Sequence, residues 1–93
     1  MTDINKTLEE RGNRYGQFTE HARISQAIKR AMMDSPNWQV LPDFIKEALE
    51  MNAHKTARIL NGDFTYTDSY HDIIGYTKLA EDQLLALETL KNG

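Results

Sequence analysis

Four acidic residues stand at spacings that suit a divalent cation. Glu47 and Glu50 lie three residues apart, and Asp68 and Asp72 lie four residues apart near a predicted helix start. Each spacing places its pair on one side of a helix. Carboxylate oxygens and water are the ligands that Mg²⁺ prefers in proteins. If the two helices pack together, the acids could hold Mg²⁺, with Glu47 and Asp72 orienting an attacking water as the catalytic residues.

Two basic residues follow the first acidic pair along the same predicted helix. Lys55 and Arg58 carry the cationic donors that bind phosphate oxygens, and a bound nucleoside triphosphate needs both such donors and a metal. A second interpretation uses the same side chains without a ligand. In it, Lys55 pairs with Asp72 and Arg58 pairs with Asp68, and these ion pairs hold two helices together.

The apolar pattern predicts an all-α fold, a single helical domain over residues 1–93 with three main helices and a short N-terminal one. The predicted helices run from Ile4 to about Arg11 with a stop at Gly12, from Thr19 to about Met33, from Pro42 to Gly62, and from Thr67 past Leu87. The connection between the last two is short, so they are predicted to form an antiparallel hairpin.

The third predicted helix has an apolar arc that also contains polar residues. The members of this arc are Ile45, Ala48, Leu49, Asn52, Thr56, Ile59 and Leu60. Asn52 and Thr56 are expected to bond to the backbone or to each other. On the fourth helix, Gly75 lies on the side of the aspartates and leaves room for either a ligand or a closely packed neighbour.

A predicted turn near residue 15 combines arginines with an aromatic residue and a glycine. Guanidinium groups and free backbone amides bind oxyanions, so Arg11 and Arg14 beside Tyr15 and Gly16 are one candidate phosphate contact. The alternative is that the turn packs Tyr15 and Phe18 onto the helices. The three histidines share no spacing that unites them as metal ligands, and we expect them at the surface or in pairs.

Composition narrows the classes of partner. A formal charge of -3 and a pI near 5.5 supply no basic field for phosphate backbones, so binding to duplex DNA is not expected. No apolar run approaches the roughly 20 residues that cross a bilayer, and the N-terminal segment is polar, which favours a cytoplasmic location. The fourth predicted helix is about 35 Å long, more than so small a domain can cover, so a homodimer is expected.

The segment Glu47-Ala-Leu-Glu50 followed by Asp68 and Asp72 resembles the all-α nucleoside triphosphate pyrophosphohydrolases, the MazG-like and dimeric dUTPase-like group. Their pattern is E-x-x-E, a gap, and E-x-x-D on the next helix. Here Asp68-x-x-x-Asp72 replaces the second half. The resemblance implies a helical fold that uses Mg²⁺ to bind and hydrolyse a nucleotide.

Nearly the whole chain is similar to a family of small tailed-phage and prophage proteins with a domain of unknown function. The matching segments are Leu8–Gly16, Pro36–Trp38, Glu47–Met51, His54-Lys55, Ala57–Gly62, and Asp68, Asp72 and Gly75-Tyr76. This resemblance implies an accessory protein in the cytoplasm of a bacterial host. Two functions remain open: a Mg²⁺-dependent nucleotide-binding or hydrolysing protein, and a non-enzymatic protein-binding module such as an inhibitor of a host protein.

Overall fold

The computed structural model describes residues 2–92, which form four α-helices and one short 3₁₀ turn. The helices are α1 (Thr2–Tyr15), α2 (Phe18–Met33), α3 (Asp43–Asn61) and α4 (Asp68–Asn92), and the 3₁₀ turn covers Trp38–Val40. No strand occurs within these residues. The prediction of an all-α fold with three main helices and an N-terminal fourth is confirmed.

The end of α1 lies one turn beyond the predicted stop at Gly12. The Gly16 N–H donates to the carbonyl of Gly12 at 2.8 Å, and Gly16 itself has a φ of 81°, the left-handed conformation that commonly ends helices. The Asn61 amide nitrogen then donates to the carbonyls of Tyr15 (2.9 Å) and Gln17 (3.0 Å). Both Gly12 and Gly16 are residues that can end a helix. The helix ends before Gly16, where Asn61 of α3 donates hydrogen bonds to the neighbouring carbonyls.

The boundaries of α2 and α3 follow the sequence signals closely. α2 ends at Met33, before the predicted break. α3 begins after Pro42, whose fixed φ suits a helix start, and the acid of Asp43 lies in its first turn, where the helix dipole favours negative charge. The backbone changes direction at Gly62. Both predicted segments are confirmed.

Helices α3 and α4 form an antiparallel hairpin. The Lys55 ammonium lies 2.9 Å from a carboxylate oxygen of Asp72, and the Asn52 amide nitrogen donates to the Thr77 hydroxyl at 3.0 Å. Residue numbers therefore rise along one helix as they fall along the other. The predicted hairpin is confirmed, and these two polar contacts set its register.

Helix α3 is central, because it packs against α4 on one side and against α2 and α1 on another. Its buried apolar residues are Ala48, Ala53 and Ala57, and such small side chains let neighbouring backbones approach closely. The predicted inward arc is partly wrong, since Leu49 is 41% exposed and Leu60 is 64% exposed. A helix with two packed sides buries a different line of residues from the single arc that the periodicity suggested.

The remaining predictions about individual residues have mixed outcomes. Gly75 is exposed, and within residues 2–92 no atom lies within 4 Å of where its Cβ would stand, so no neighbour packs closely against it. Phe18 does not pack onto the helices, because 79% of it is exposed.

The chain is elongated because α4 is longer than the helices that pack beside it. Its principal extents are 55, 27 and 26 Å. Every described residue of α4 from Glu81 to Lys91 is exposed. No helix in the described range has both the length and the apolar character needed to cross a membrane.

Candidate functional site

The predicted ion pair between Lys55 and Asp72 is present on the seam between α3 and α4. The Lys55 side chain is only 12% exposed, whereas that of Asp72 is 42% exposed. The hydrogen bond from Lys55, and then its charge, lower the pKa of Asp72. The ammonium group of Lys55 is therefore already neutralised by a protein carboxylate.

Asn52 and Thr56, the polar residues within the predicted apolar arc of α3, make hydrogen bonds next to this ion pair. The Thr56 hydroxyl donates to the backbone carbonyl of Asn52 at 2.7 Å, and the Asn52 amide nitrogen donates to Thr77. The amide oxygen of Asn52 is buried and has no hydrogen-bond partner in the part of the chain that the structure describes. The prediction that these residues bond to the backbone or to each other is correct for Thr56, whereas the Asn52 side chain bonds to Thr77 of α4.

The second predicted ion pair, Arg58 with Asp68, does not form. Arg58 instead stacks on Tyr15, with its guanidinium carbon 4.1 Å from the ring centroid. Asp68 accepts a hydrogen bond from the Tyr66 hydroxyl at 2.8 Å, and this bond raises the pKa of Tyr66. Aromatic neighbours near the ends of α1 and α3 thus separate the two charges.

The four predicted metal-ligating acids do not converge within one chain. Among the described residues, no group of three or more aspartate, glutamate or histidine side chains could hold a metal ion. Glu47 precedes Lys55 by eight residues, about 12 Å along the helix axis, so it lies far from Asp72. Glu50 lies about 140° around α3 from Lys55 and points away from that seam. Asp68 bonds to Tyr66 instead.

A pocket lies between α1, the start of α2 and the second half of α3. Its volume is about 600 Å³, within the range typical of small-molecule sites. Three kinds of side chain line it: apolar and aromatic (Leu8, Tyr15 and Phe18), cationic (Arg11 and Arg58), and imidazole (His21 and His54). Gly12, Gly16 and Gln17 complete the lining. We call this cavity the α1–α3 pocket.

The two arginines of the α1–α3 pocket contact the same aromatic ring. The guanidinium carbon of Arg58 lies 4.1 Å from the Tyr15 ring centroid and that of Arg11 lies 5.7 Å from it. Two fixed positive charges therefore contact one ring at the pocket wall, and no carboxylate is among the lining residues that the structure describes. Since guanidinium forks match phosphate and carboxylate oxygens, this wall suits an anion.

A histidine pair forms part of the pocket wall. Nε2 of His21 lies 3.3 Å from Nδ1 of His54, and the rings meet edge to face with centroids 4.6 Å apart. Burial, followed by the charges of Arg58 and Lys29, lowers the pKa of His21. Burial and the Arg58 charge lower the pKa of His54 to about 4. Both rings are therefore neutral at pH 7.

Acidification from pH 6.5 toward 4 should lower the melting temperature. The unfolded chain protonates His54 near pH 6.5, whereas the folded chain does so only near pH 4, so protons favour unfolding in this window. This contribution is complete above pH 6.5 and is lost as the pH falls. In His54→Gln the slope should become shallower, while His71→Gln, a change at an exposed residue, should leave it unchanged. An equal slope in wild type and His54→Gln would refute the assignment.

The Lys55 and Asp72 pair should respond asymmetrically to mutation. Asp72→Asn leaves the charge of Lys55 largely buried without its partner, whereas Lys55→Met removes that charge and keeps an apolar stem. Asp72→Asn should therefore lower the midpoint of urea unfolding more than Lys55→Met. The control is Lys78→Met, whose exposed pair with Asp82 should contribute almost nothing. A larger loss in Lys55→Met would contradict this description of the pair.

Of the predicted phosphate ligands, the structure places Arg58 in the α1–α3 pocket and Lys55 outside it. Of the two arginines predicted to contact phosphate at the turn near residue 15, Arg11 lines the pocket. Arg14 instead stacks on Tyr66 and donates to its hydroxyl at 3.2 Å. Histidines were expected at the surface or in pairs, but the sequence did not predict that His21 meets His54. Their separation of 33 residues carries no local signal, and only the packing of α2 on α3 brings them together.

No protein-family model, curated protein sequence or solved structure matches this chain. What the α1–α3 pocket binds must therefore be inferred from its own side chains and charges.

Proposed function

We propose that the protein binds an anionic small molecule with an aromatic or apolar part in the α1–α3 pocket, and that a nucleotide is the class of ligand. One observation carries the proposal: two arginines that contact the same tyrosine ring and three apolar or aromatic side chains line a cavity of about 600 Å³ without any carboxylate among the described lining residues. An anionic ligand entering this cavity meets no charge of its own sign there.

Each part of a nucleotide has a matching group in the pocket. Arg11 and Arg58 would hold phosphate oxygens, as guanidinium groups do elsewhere. Phe18 is 79% exposed at the pocket edge, and an exposed aromatic ring offers a stacking surface for a base. The arrangement would give affinity for both ends of the ligand.

A nucleotide is also the ligand that the sequence resemblance implies. Its proposed site is the α1–α3 pocket, whereas the sequence suggested the seam between α3 and α4. Neither Lys55 nor the acids Glu47, Glu50 and Asp72 line the pocket. Binding is therefore the activity that the pocket supports, while Mg²⁺ dependence and hydrolysis depend on the resemblance alone. An accessory role in a phage or prophage agrees with ligand binding of this kind.

A thermal-shift screen tests the proposal. Purified protein is heated with nucleoside mono-, di- and triphosphates, each with and without Mg²⁺, and with inorganic phosphate and nucleosides as controls for the separate parts. A ligand at 100 times its dissociation constant adds about 2.7 kcal/mol to stability and visibly raises the melting temperature. A rise with a nucleotide that exceeds the rise with phosphate or nucleoside supports the proposal. A flat screen contradicts it and favours a protein-binding module instead.

A further inference from the structure

The far half of α4 carries an apolar face that no other part of the described residues 2–92 covers. Leu79, Leu84, Leu87 and Leu90 are 66%, 49%, 45% and 78% exposed. We call these four residues the tail face. Leu87 stands on the same line of the helix as Ser69, which is buried at the other end. The side of α4 that packs within the hairpin thus continues as exposed leucines.

The tail face is a continuous surface on one side of the helix. At 3.6 residues per turn its four leucines fall within an arc of about 140°. Glu81 and Glu88 lie about 60° and 40° beyond the Leu84 edge of that arc, where they flank a partner helix, whereas Asp82 lies beyond the opposite edge. Lys91 lies within the arc. A charged face and an apolar face on one exposed helix are typical of a helix that packs against a partner.

The exposed area of the chain agrees with a missing partner. The chain exposes 7018 Å², whereas a compact monomer of its mass exposes about 5,500 Å². Its radius of gyration is 16.2 Å, compared with about 12 Å for a compact chain of this length. The excess area exceeds the roughly 800 Å² that each partner buries in a stable complex.

We propose that a second copy of this chain covers the tail face, with its own α4 running antiparallel across Leu84 and Leu87. The charges favour this direction. Antiparallel helices crossing at these leucines place Lys91 of each copy level with Glu81 of the other, so opposite charges meet at both ends of the crossing. The two-fold arrangement also buries the same surface on both copies.

Sedimentation equilibrium of the full chain tests the proposal. The wild type should sediment at twice the mass of one 10.7 kDa chain. The double change Leu84→Glu and Leu87→Glu should raise the dissociation constant at least a hundredfold, because it places charge at the centre of the interface. The matched control is Leu85→Glu, which changes an equally exposed leucine, 53% exposed, on the other side of the helix. It should remain dimeric.

Circular dichroism confirms that each variant is folded. A wild type that is monomeric at high micromolar concentration would overturn the proposal, and so would a Leu85→Glu variant that dissociates as readily as the double variant. The relative direction of the two α4 helices is tested by oxidising the variant Leu90→Cys. Its cysteine is the only one in the variant, since the natural sequence has none. Antiparallel pairing keeps the two sites about 13 Å apart along the axis, beyond disulfide reach. A disulfide-linked dimer would overturn the antiparallel arrangement.

Discussion

Replacing Gly16 or Gly62 with alanine should lower the free energy of unfolding by about 3 kcal/mol or more. A Cβ at Gly62 would lie 2.5 Å from the Cα of Tyr15, and one at Gly16 would lie 2.6 Å from the amide nitrogen of Asn61. Gly16 also has a positive φ, which alanine rarely adopts. The two glycines let the end of α1 and the end of α3 touch through their backbones, and urea unfolding measures the cost.

Gly12→Ala is the matched control for these two variants. Gly12 lies inside α1, and nothing within the described chain stands within 4 Å of its would-be Cβ. Alanine in place of a helical glycine should therefore raise stability by about 0.5–1 kcal/mol. If all three alanine variants were equally stable, the close contact between α1 and α3 would be wrong.

Arg58→Met should weaken nucleotide binding by about tenfold to a hundredfold, because a charge-assisted hydrogen bond contributes about 1.5–3 kcal/mol. Methionine keeps an apolar stem beside Tyr15, so the change removes mainly the charge and the donors. Isothermal titration calorimetry with the nucleotide that gives the largest thermal shift measures the loss. Arg58→Lys, which restores the charge without the planar fork, should recover only part of the affinity.

Arg30→Met is the control for the Arg58 variants. Arg30 is exposed in the last turn of α2 and does not line the pocket, yet its loss changes the net charge by the same amount. Its affinity should equal that of the wild type. Equal weakening in both variants would mean that binding depends on overall charge and would contradict a role for Arg58 in the site.

Much of the fold could be predicted because its signals are local. Pro42 and Gly62 bound α3 in the sequence as they do in the structure, and the short connection to α4 requires an antiparallel neighbour. The pairing of Lys55 with Asp72 could be predicted from the antiparallel arrangement of α3 and α4. The end of α1 was missed because the hydrogen bond to its last carbonyl, that of Tyr15, comes from Asn61, a residue 46 positions away.

The candidate site was less predictable because three helices build it. Arg58 was singled out, but with Asp68 and Mg²⁺ as expected neighbours, and it meets Tyr15 instead. The contact depends on how α1 crosses α3, and that crossing is set by Gly16 and Gly62, whose close approach no sequence spacing reveals. The acids were grouped by helical spacing, which fixes a side of one helix but not its distance from another.

The most direct test of the α1–α3 pocket is an NMR titration of ¹⁵N-labelled protein with a nucleoside monophosphate, with the same titration repeated on Arg58→Met. Binding in the pocket predicts that the backbone amide signals of Gly12, Gly16 and Phe18 shift in a saturable way in the wild type and much less in the variant. Shifts confined to the α3 and α4 seam around Lys55 and Asp72, or no shifts at millimolar ligand, would contradict a nucleotide site in this pocket.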